Sequence, residues 1–206
     1  MKIICIGRNY AAHIKEFDNG APSAEPIYFL KPDTALLRNN DPFYIPSFSG
    51  QVDYETELLV RIKRVGKCIE ERFASRYYDE VGLGIDFTAR DIQRRAMELG
   101  LPWEQSKGFD RSAAVSSRFL KLSALGKSVQ DLHFEMTLNG EVRQRGYTGD
   151  MIFTVDRLIS HVSQFITLHM GDLLYTGTPS GVGPVSRGDV LRASLEGEEL
   201  FNFDIR

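Results

Sequence analysis

The chain has 206 residues, with 25 lysines and arginines against 28 acidic residues and a formal net charge of −3. This acidic balance, without a basic patch, argues against a nucleic-acid-binding protein, and no apolar run reaches the roughly 18 residues that a membrane span requires. An apolar content of 42% is sufficient for the core of one globular domain, which we expect to cover residues 1–206.

The two cysteines, Cys5 and Cys68, are too few for a disulfide framework. Their apolar neighbours predict reduced, packed thiols in a cytoplasmic protein. The apolar start of the chain is too short for a signal peptide and is interpreted as a first strand.

Strand patterns outnumber helix patterns along the chain. A short helix is predicted over residues 11–18, followed by a mobile loop over 19–23. A second helix is predicted over 88–99, with Thr88 as its N-cap and Gly100 as its stop, and a third over 155–167. Strands are predicted over residues 27–30, 57–62, 133–138, 173–176 and 190–195.

Asn139-Gly140 lies between two strand patterns and predicts a type I′ hairpin turn. Mixed strands with few helices indicate an α+β domain rather than an alternating βαβ fold.

Glu55 and Glu57 are the most informative residues. Because strand side chains alternate, residues i and i+2 lie on the same face, roughly 6.5–7 Å apart along the backbone. Such acids are common on a wet strand face, so the pair alone is weak evidence. With Asp86, which follows an apolar run and could also be a helix N-cap, the acids form an oxygen-donor set that suits Mg²⁺ or Mn²⁺.

Other polar positions are ambiguous when each is considered alone. His13 is more often a surface or packed histidine, and Glu16 three residues later is a common helix-stabilising partner. The Gly- and Pro-rich segment 176–184 is either a plain turn or an anion-binding loop. Trp103 is expected in the core or in a dimer interface.

The order of these motifs carries more information than any one of them. The blocks are Gly7-Arg8-Asn9-Tyr10 with His13 and Glu16, Phe29-Leu30-Lys31-Pro32, Asp53-Tyr54-Glu55-Thr56-Glu57, Asp86-Phe87-Thr88-Ala89-Arg90-Asp91-Ile92-Gln93, Ser106-Lys107-Gly108-Phe109, Leu138-Asn139-Gly140-Glu141 and Gly171 to Gly183. Together they resemble the fumarylacetoacetate hydrolase family over nearly the whole chain. Gly100-Leu101-Pro102-Trp103 resembles its acylpyruvase and oxaloacetate decarboxylase-like branch.

The resemblance implies a mixed β-roll with a few short helices, a homodimer, and a role for each matching residue. It places Mg²⁺ or Mn²⁺ on Glu55, Glu57 and Asp86. It makes His13 and Glu16 a catalytic pair on a lid helix and Lys107 a catalytic lysine beside the metal. It assigns substrate contacts to Arg90, Gln93, Thr178 and Lys31.

The implied substrate is a small 2-oxo acid, and three reactions remain open. We favour hydrolysis of the C–C bond of an acylpyruvate to pyruvate and a carboxylic acid, because His13 and Glu16 could activate water. Decarboxylation of oxaloacetate and isomerisation or decarboxylation of 2-hydroxyhepta-2,4-diene-1,7-dioate use similar chemistry. From another class, the chain could be a catalytically silent metal-binding protein. Such a protein would be free to lose His13, Glu16 or Lys107, and all three are present.

Overall fold

The computed structural model describes residues 1–17 and 23–206. Five α-helices lie in this part of the chain: α1 Ala11–Phe17, α2 Arg90–Leu99, α3 Glu104–Lys107, α4 Leu122–Leu125 and α5 Val155–Phe165. Short 3₁₀ helices cover Asp33–Ala35, Glu71–Tyr77 and Thr148–Asp150. No helix in the described ranges is both long enough and apolar enough to cross a membrane.

The same ranges contain fifteen strands. They are β1 Ile3–Ile6, β2 Tyr28–Lys31, β3 Leu36–Leu37, β4 Val52–Tyr54, β5 Thr56–Ile62, β6 Tyr78–Asp86, β7 Thr88–Ala89, β8 Ala113–Val115, β9 Leu120–Lys121, β10 His133–Leu138, β11 Glu141–Tyr147, β12 Leu173–Tyr175, β13 Gly183–Pro184, β14 Val190–Leu195 and β15 Glu198–Asp204.

The strands form three sheets. The largest has the order β2-β1-β12-β5-β6-β8-β3, with β9 also paired to β6; β1 and β12 are parallel, as are β3 and β8. A four-stranded antiparallel sheet has the order β11-β10-β14-β15, and a small sheet joins β13, β4 and β7. This mixed architecture with few helices confirms the α+β prediction.

The largest sheet is buried on both faces. In β1, Ile4 and Ile6 join a core cluster that also includes side chains of the four-stranded sheet and of α5, whereas Ile3 and Cys5 join a second cluster. The period-2 alternation of a strand explains this division. Polar side chains placed in this sheet are therefore removed from water, which is costly unless they are paired or bind an ion.

Most predicted elements are present with small shifts in their bounds. The strand predicted over 27–30 is β2, the one over 57–62 is β5, and the one over 173–176 is β12, while 133–138 and 190–195 are β10 and β14. Asn139 and Gly140 both have positive φ, at 56° and 82°, as a type I′ turn requires. Within the predicted loop 19–23, residues 19–22 lie outside the described residues, as does residue 18 of the first helix prediction.

The second helix begins later than predicted. Thr88 is not its N-cap; it lies in β7, and Ala89 occupies the N-cap position of α2. The Thr88 hydroxyl instead donates to the carbonyl of Asp86 and accepts from Lys107 Nζ at 2.6 Å. The predicted stop is correct, because Gly100 takes the left-handed conformation at φ 64° and caps the helix.

The prediction for the third helix was nearly right. Helix α5 begins at Val155, as predicted, and ends at Phe165 rather than at residue 167. Thr154 caps it, because its side chain accepts from Arg157 N.

One further expectation needs correction. Cys68 is exposed rather than packed, although both cysteines are free as predicted. Trp103, expected in the core or in a dimer interface, is half-buried at the N-cap position of α3. Its ring meets Phe29 edge-on at 5.9 Å and lines a cavity.

A candidate metal centre beneath a small cavity

Three carboxylates converge where the largest sheet meets the smallest. Glu55 lies between β4 and β5, Glu57 lies within β5, and Asp86 ends the neighbouring strand β6. The main-chain N–H of Asp86 donates to the Glu55 carbonyl at 2.8 Å, which sets the register of the two strands here. One carboxylate oxygen from each acid lies within 4.8 Å of the others.

Burial makes a carboxylate costly unless its charge is compensated. Glu55, Glu57 and Asp86 are only 5%, 1% and 1% exposed. Burial, with the nearby carboxylates of Asp86 and Glu55, raises the pKa of Glu57 well above its ordinary value. Among the described residues Glu57 forms no ion pair; its Oε2 accepts from Gly177 N at 2.6 Å. An all-oxygen set with one such unpaired member fits a hard divalent cation such as Mg²⁺ or Mn²⁺.

Gly177 and Gly84 allow the chain to approach this cluster closely. Gly177 has φ 99°, and a Cβ there would lie 2.7 Å from the Cβ of Asn9. Gly84 pairs with Glu57 across the sheet, and a Cβ on it would lie 2.6 Å from the Ala114 carbonyl oxygen. Larger residues at either position would push the strands or the loop apart.

Lys107 at the end of α3 joins two of the acids. Its Nζ lies 2.8 Å from Glu55 Oε2 and 2.9 Å from Asp86 Oδ2. Burial disfavours the ammonium, but the carboxylates of Asp86 and Glu55 raise the pKa of Lys107 to about 12. Conversely, although burial opposes it, Lys107 and Arg90 hold the pKa of Glu55 well below its usual range. Lys107 therefore stays protonated and Glu55 stays ionised at neutral pH.

Lys31 lies on the far side of Asp86 from the cavity. Its Nζ is 2.6 Å from Asp86 Oδ1 and donates to the carbonyl and the hydroxyl of Ser112, at 2.7 and 3.1 Å. The side chain is fully buried. The structure thus places Lys31 against Asp86 and outside the cavity lining.

Arg90 is held in place by polar neighbours at the start of α2. Its Nε donates to Asp53 Oδ2 at 2.7 Å, and its two terminal nitrogens donate to Glu55 and to the side-chain oxygen of Gln93. This arrangement fixes the guanidinium against Glu55, with Gln93 beside it. Asp53, which the sequence did not single out, is therefore part of the site.

His13 and Glu16 come together on helix α1. His13 Nδ1 lies 3.5 Å from Glu16 Oε2, and the other carboxylate oxygen of Glu16 accepts from Gly181 N at 2.9 Å. The second contact attaches α1 to the Gly-rich segment predicted as a turn or anion-binding loop. Burial lowers the pKa of His13 despite the opposing effect of Glu55 and Glu16, so the imidazole is neutral at neutral pH.

A cavity of about 270 Å³ opens above this group. Five of the predicted site residues line it: His13, Glu55, Arg90, Gln93 and Lys107. Its other lining residues are Gly7, Arg8, Ile14, Arg94, Met97, Glu98 and Trp103. Glu57 and Asp86 lie beneath the lining, beside Glu55 and Lys107.

Thr178 and Lys31 do not line this cavity, although they were expected to contact substrate. The Thr178 hydroxyl donates to the Thr56 carbonyl at 2.8 Å and accepts from Gln144 Nε2 at the same distance. Of the four residues expected to contact substrate, the structure places Arg90 and Gln93 at the cavity wall.

Arg94, which lines the cavity, and Gln144, which binds Thr56 and Thr178, are not among the residues predicted from the sequence. A signal existed for Arg94, which lies four residues after Arg90 and so on the same helix face. A signal also existed for Gln144, which alternates in β11 with the exposed Arg143 and Arg145 and so had to point inward.

Comparison with known proteins gives a consistent result. The family model described as fumarylacetoacetate (FAA) hydrolase C-terminal matches residues 2–201. A curated relative, the oxaloacetate tautomerase YcgM of Escherichia coli K12, is 40% identical over 199 residues, covering 97% of this chain and 90% of the relative.

Solved structures agree with this result. A putative fumarylacetoacetate hydrolase family protein from Yersinia pestis is 41% identical with a TM-score of 0.94, covering all of this chain and 93% of the other. Fumarylpyruvate hydrolase from Pseudomonas aeruginosa, solved with Mn²⁺ and pyruvate, is 35% identical with a TM-score of 0.92, covering all of this chain and 89% of the other. The chain belongs to the fumarylacetoacetate hydrolase family.

Proposed function

We propose that this protein is a divalent-metal-dependent enzyme that interconverts the enol and keto forms of a small 2-oxo dicarboxylic acid, with oxaloacetate as the preferred substrate. One observation carries the proposal: a buried acid cluster with a protonated lysine lies under a small cavity whose wall holds three arginines and a neutral histidine. His13 and Lys107 line this cavity and Glu16 lies beside His13, which favours an enzyme over a silent metal-binding protein.

The cavity suits a short dianion. At about 270 Å³ it is slightly smaller than the roughly 300–1,000 Å³ typical of ligand pockets. Lys107 and Arg90 lie beside Glu55 at the inner wall, and Arg8 and Arg94 are two further cationic lining residues. We assign the carboxylate next to the 2-oxo group to the inner end and the second carboxylate to Arg8 and Arg94, since guanidinium groups match carboxylates in geometry and charge.

The metal and the protein side chains have separate tasks in this proposal. Mg²⁺ or Mn²⁺, held by Glu55, Glu57 and Asp86, would supply Lewis-acid stabilisation of the negative charge that develops at the reacting end of the substrate. Lys107, fixed between Glu55 and Asp86, adds a positive charge on the same side of the cavity.

His13 is assigned the proton transfer at C3. Glu16 beside Nδ1 favours the tautomer in which that nitrogen carries the hydrogen, which leaves Nε2 able to accept a proton. In the keto-to-enol direction Nε2 takes a proton from C3 and the 2-oxo oxygen takes one up from solvent; in the reverse direction that oxygen gives its proton to solvent and Nε2 returns one to C3. Because burial lowers the pKa of His13, its imidazole is neutral at neutral pH, which is the state needed to accept a proton from C3.

The similarity to the oxaloacetate tautomerase of Escherichia coli supports this choice among the possible reactions, since the identity is 40%, against 35% for fumarylpyruvate hydrolase. Tautomerisation also needs fewer groups than hydrolysis, because a base at C3 and a cation near the enolate oxygen suffice and no water has to be positioned. In the cavity wall, His13 and Lys107 are the candidates for these two tasks.

Hydrolysis of an acylpyruvate is the second candidate. The similarity to fumarylpyruvate hydrolase favours it, and so does the pairing of His13 with Glu16, which could activate a water molecule for attack on the C4 carbonyl. Fumarylpyruvate is also a dicarboxylate, so Arg8 and Arg94 would have the same task in both reactions.

A direct comparison of substrates tests the proposal. Purified protein with Mg²⁺ or Mn²⁺ would be mixed with the enol form of oxaloacetate, and loss of enol absorbance would be followed together with pyruvate formation. Acetylpyruvate and fumarylpyruvate would be assayed in parallel for cleavage. We expect the largest kcat/KM for enol conversion without pyruvate release. Faster cleavage of either acylpyruvate would replace the proposal with the hydrolase, and no turnover of any substrate would refute both.

A further inference from the structure

Thr56 is the residue that joins two of the proposed metal ligands. Thr56 lies between Glu55 and Glu57, at the first residue of β5, where the chain leaves the small sheet and enters the largest. Strand β12 pairs with β5 only from Leu59 onward, so it does not reach this peptide. The polar groups of Thr56 need other partners, because buried main-chain N–H and C=O groups are costly when unpaired.

Side chains supply those partners. The N–H of Thr56 donates to Gln144 Oε1 at 2.9 Å, and its carbonyl accepts from the Thr178 hydroxyl at 2.8 Å. Gln144 Nε2 donates to that same hydroxyl at 2.8 Å and to the Pro179 carbonyl at 3.0 Å. The amide therefore ties together three segments, one of which carries the acids.

Gln144 is itself held firmly. It is 1% exposed, and it lies on β11 of the four-stranded sheet, where it pairs across from Met136 of β10. Both ends of its amide are engaged, so rotation of the side chain would cost hydrogen bonds at Thr56, Thr178 and Pro179 together.

We propose that Gln144 is a positioning residue for the metal centre: by fixing the Thr56 peptide it sets the direction of the Glu55 and Glu57 carboxylates toward Asp86. It touches neither the substrate cavity nor an acid. Its effect passes through the strand, because the side chains of residues i−1 and i+1 on a strand turn with the peptides between them. This inference rests on the metal dependence of the proposed function.

The test measures Mn²⁺ binding without substrate, from the electron paramagnetic resonance signal of free Mn²⁺. Gln144→Met keeps the approximate shape of the side chain and removes all three hydrogen bonds. We expect its Kd for Mn²⁺ to rise about 10–100-fold, the range typical when a group that orients metal ligands is lost.

Met136→Ala is the matched control, because it weakens the same sheet at the paired position and removes no polar contact to Thr56. We expect it to lower the thermal midpoint while leaving the Mn²⁺ affinity near that of the wild type. An equal loss of affinity in both variants, at equal loss of thermal midpoint, would overturn the positioning role.

A second variant keeps the test decisive if Gln144→Met folds poorly. Thr178→Val removes the hydroxyl that binds the carbonyl of the same residue, Thr56, and Thr178→Ser retains it. We expect weaker Mn²⁺ binding for valine and near wild-type binding for serine. In the Gln144→Met, Thr178→Val double variant the combined loss should be smaller than the product of the single losses, because both contacts hold the main chain of one residue.

The outcomes separate this inference from the proposed function. Unchanged Mn²⁺ affinity in Gln144→Met and Thr178→Val, with normal binding by the wild type, would overturn only the role of Gln144. Wild-type protein that binds no Mn²⁺ would overturn both this inference and the metal centre.

Discussion

The inner and outer parts of the site differ in how they are built. The inner cluster, defined as Glu55, Glu57, Asp86, Lys31 and Lys107, lies on or against central strands and is almost fully buried. The outer wall, defined as helix α1 with Arg8 and Arg94, is partly open to solvent; the side chain of Glu16 is 37% exposed and Arg94 is exposed. Rigid, buried groups suit a step common to several reactions, and the more exposed groups suit the choice of substrate and the proton transfer that distinguishes those reactions.

The largest fall in kcat/KM should follow changes to the inner cluster. Removing the metal with EDTA, or replacing Glu55 with glutamine, is expected to lower kcat/KM by about 10³-fold or more for every substrate, because Lewis-acid stabilisation supplies several kcal/mol. Steady-state rates for enol conversion, decarboxylation and acylpyruvate cleavage, before and after readdition of Mn²⁺, provide the measurement. Undiminished turnover of any substrate in excess chelator would contradict a shared metal centre.

Replacing His13, in the outer wall, should lower kcat/KM for some of the reactions and not for others. His13→Ala should lower enol–keto conversion, and any acylpyruvate cleavage, by roughly 10²–10⁴-fold, the usual contribution of a general base. Loss of CO₂ from oxaloacetate breaks the C3–C4 bond without removing a proton from C3, so it should fall much less. Comparing kcat/KM at saturating Mn²⁺ keeps metal affinity out of the result. An equal fall in all reactions would instead assign His13 to closure of helix α1.

Arg94 should affect substrate preference more than rate. Arg94→Gln removes an exposed charge expected to contact the second carboxylate, so it should raise KM for oxaloacetate about fivefold, equivalent to about 1 kcal/mol. Acetylpyruvate, which lacks that carboxylate, should keep its KM. Arg95→Gln, an exposed neighbour outside the cavity lining, is the control. If both variants change KM for oxaloacetate alike, the effect is one of overall charge rather than of a contact.

The smallest expected change is in the hydrogen-exchange protection of helix α1 when a ligand binds. This seven-residue helix is attached to the Gly-rich loop by the contact of Glu16 with Gly181 N. Oxalate, a 2-oxo acid analogue, should slow hydrogen exchange in residues 11–17 at saturating Mn²⁺ without changing exchange in β5 and β6. Equal exchange with and without oxalate would show that α1 is as fixed as the inner cluster and is not a lid.

Local patterns in the sequence account for much of the fold and for the inner acids. Glu55 and Glu57 share a strand face because strand side chains alternate, and Asn139-Gly140 forms its turn because both residues tolerate positive φ. The α2 stop at Gly100 and the start of α5 at Val155 likewise follow from short-range rules. Motif order indicated the family, which then pointed to Asp86 as the third ligand.

Tertiary structure alone decided the roles of the remaining polar residues. Thr88 has the sequence context of a helix cap, but Lys107, 19 residues away, holds its hydroxyl. Lys31 is directed behind Asp86, and Gln144 reaches Thr56 from 88 residues away in the chain. No local rule predicts such contacts, because they depend on how separate sheets pack, and the cost of leaving a buried polar group unpaired then selects the partner.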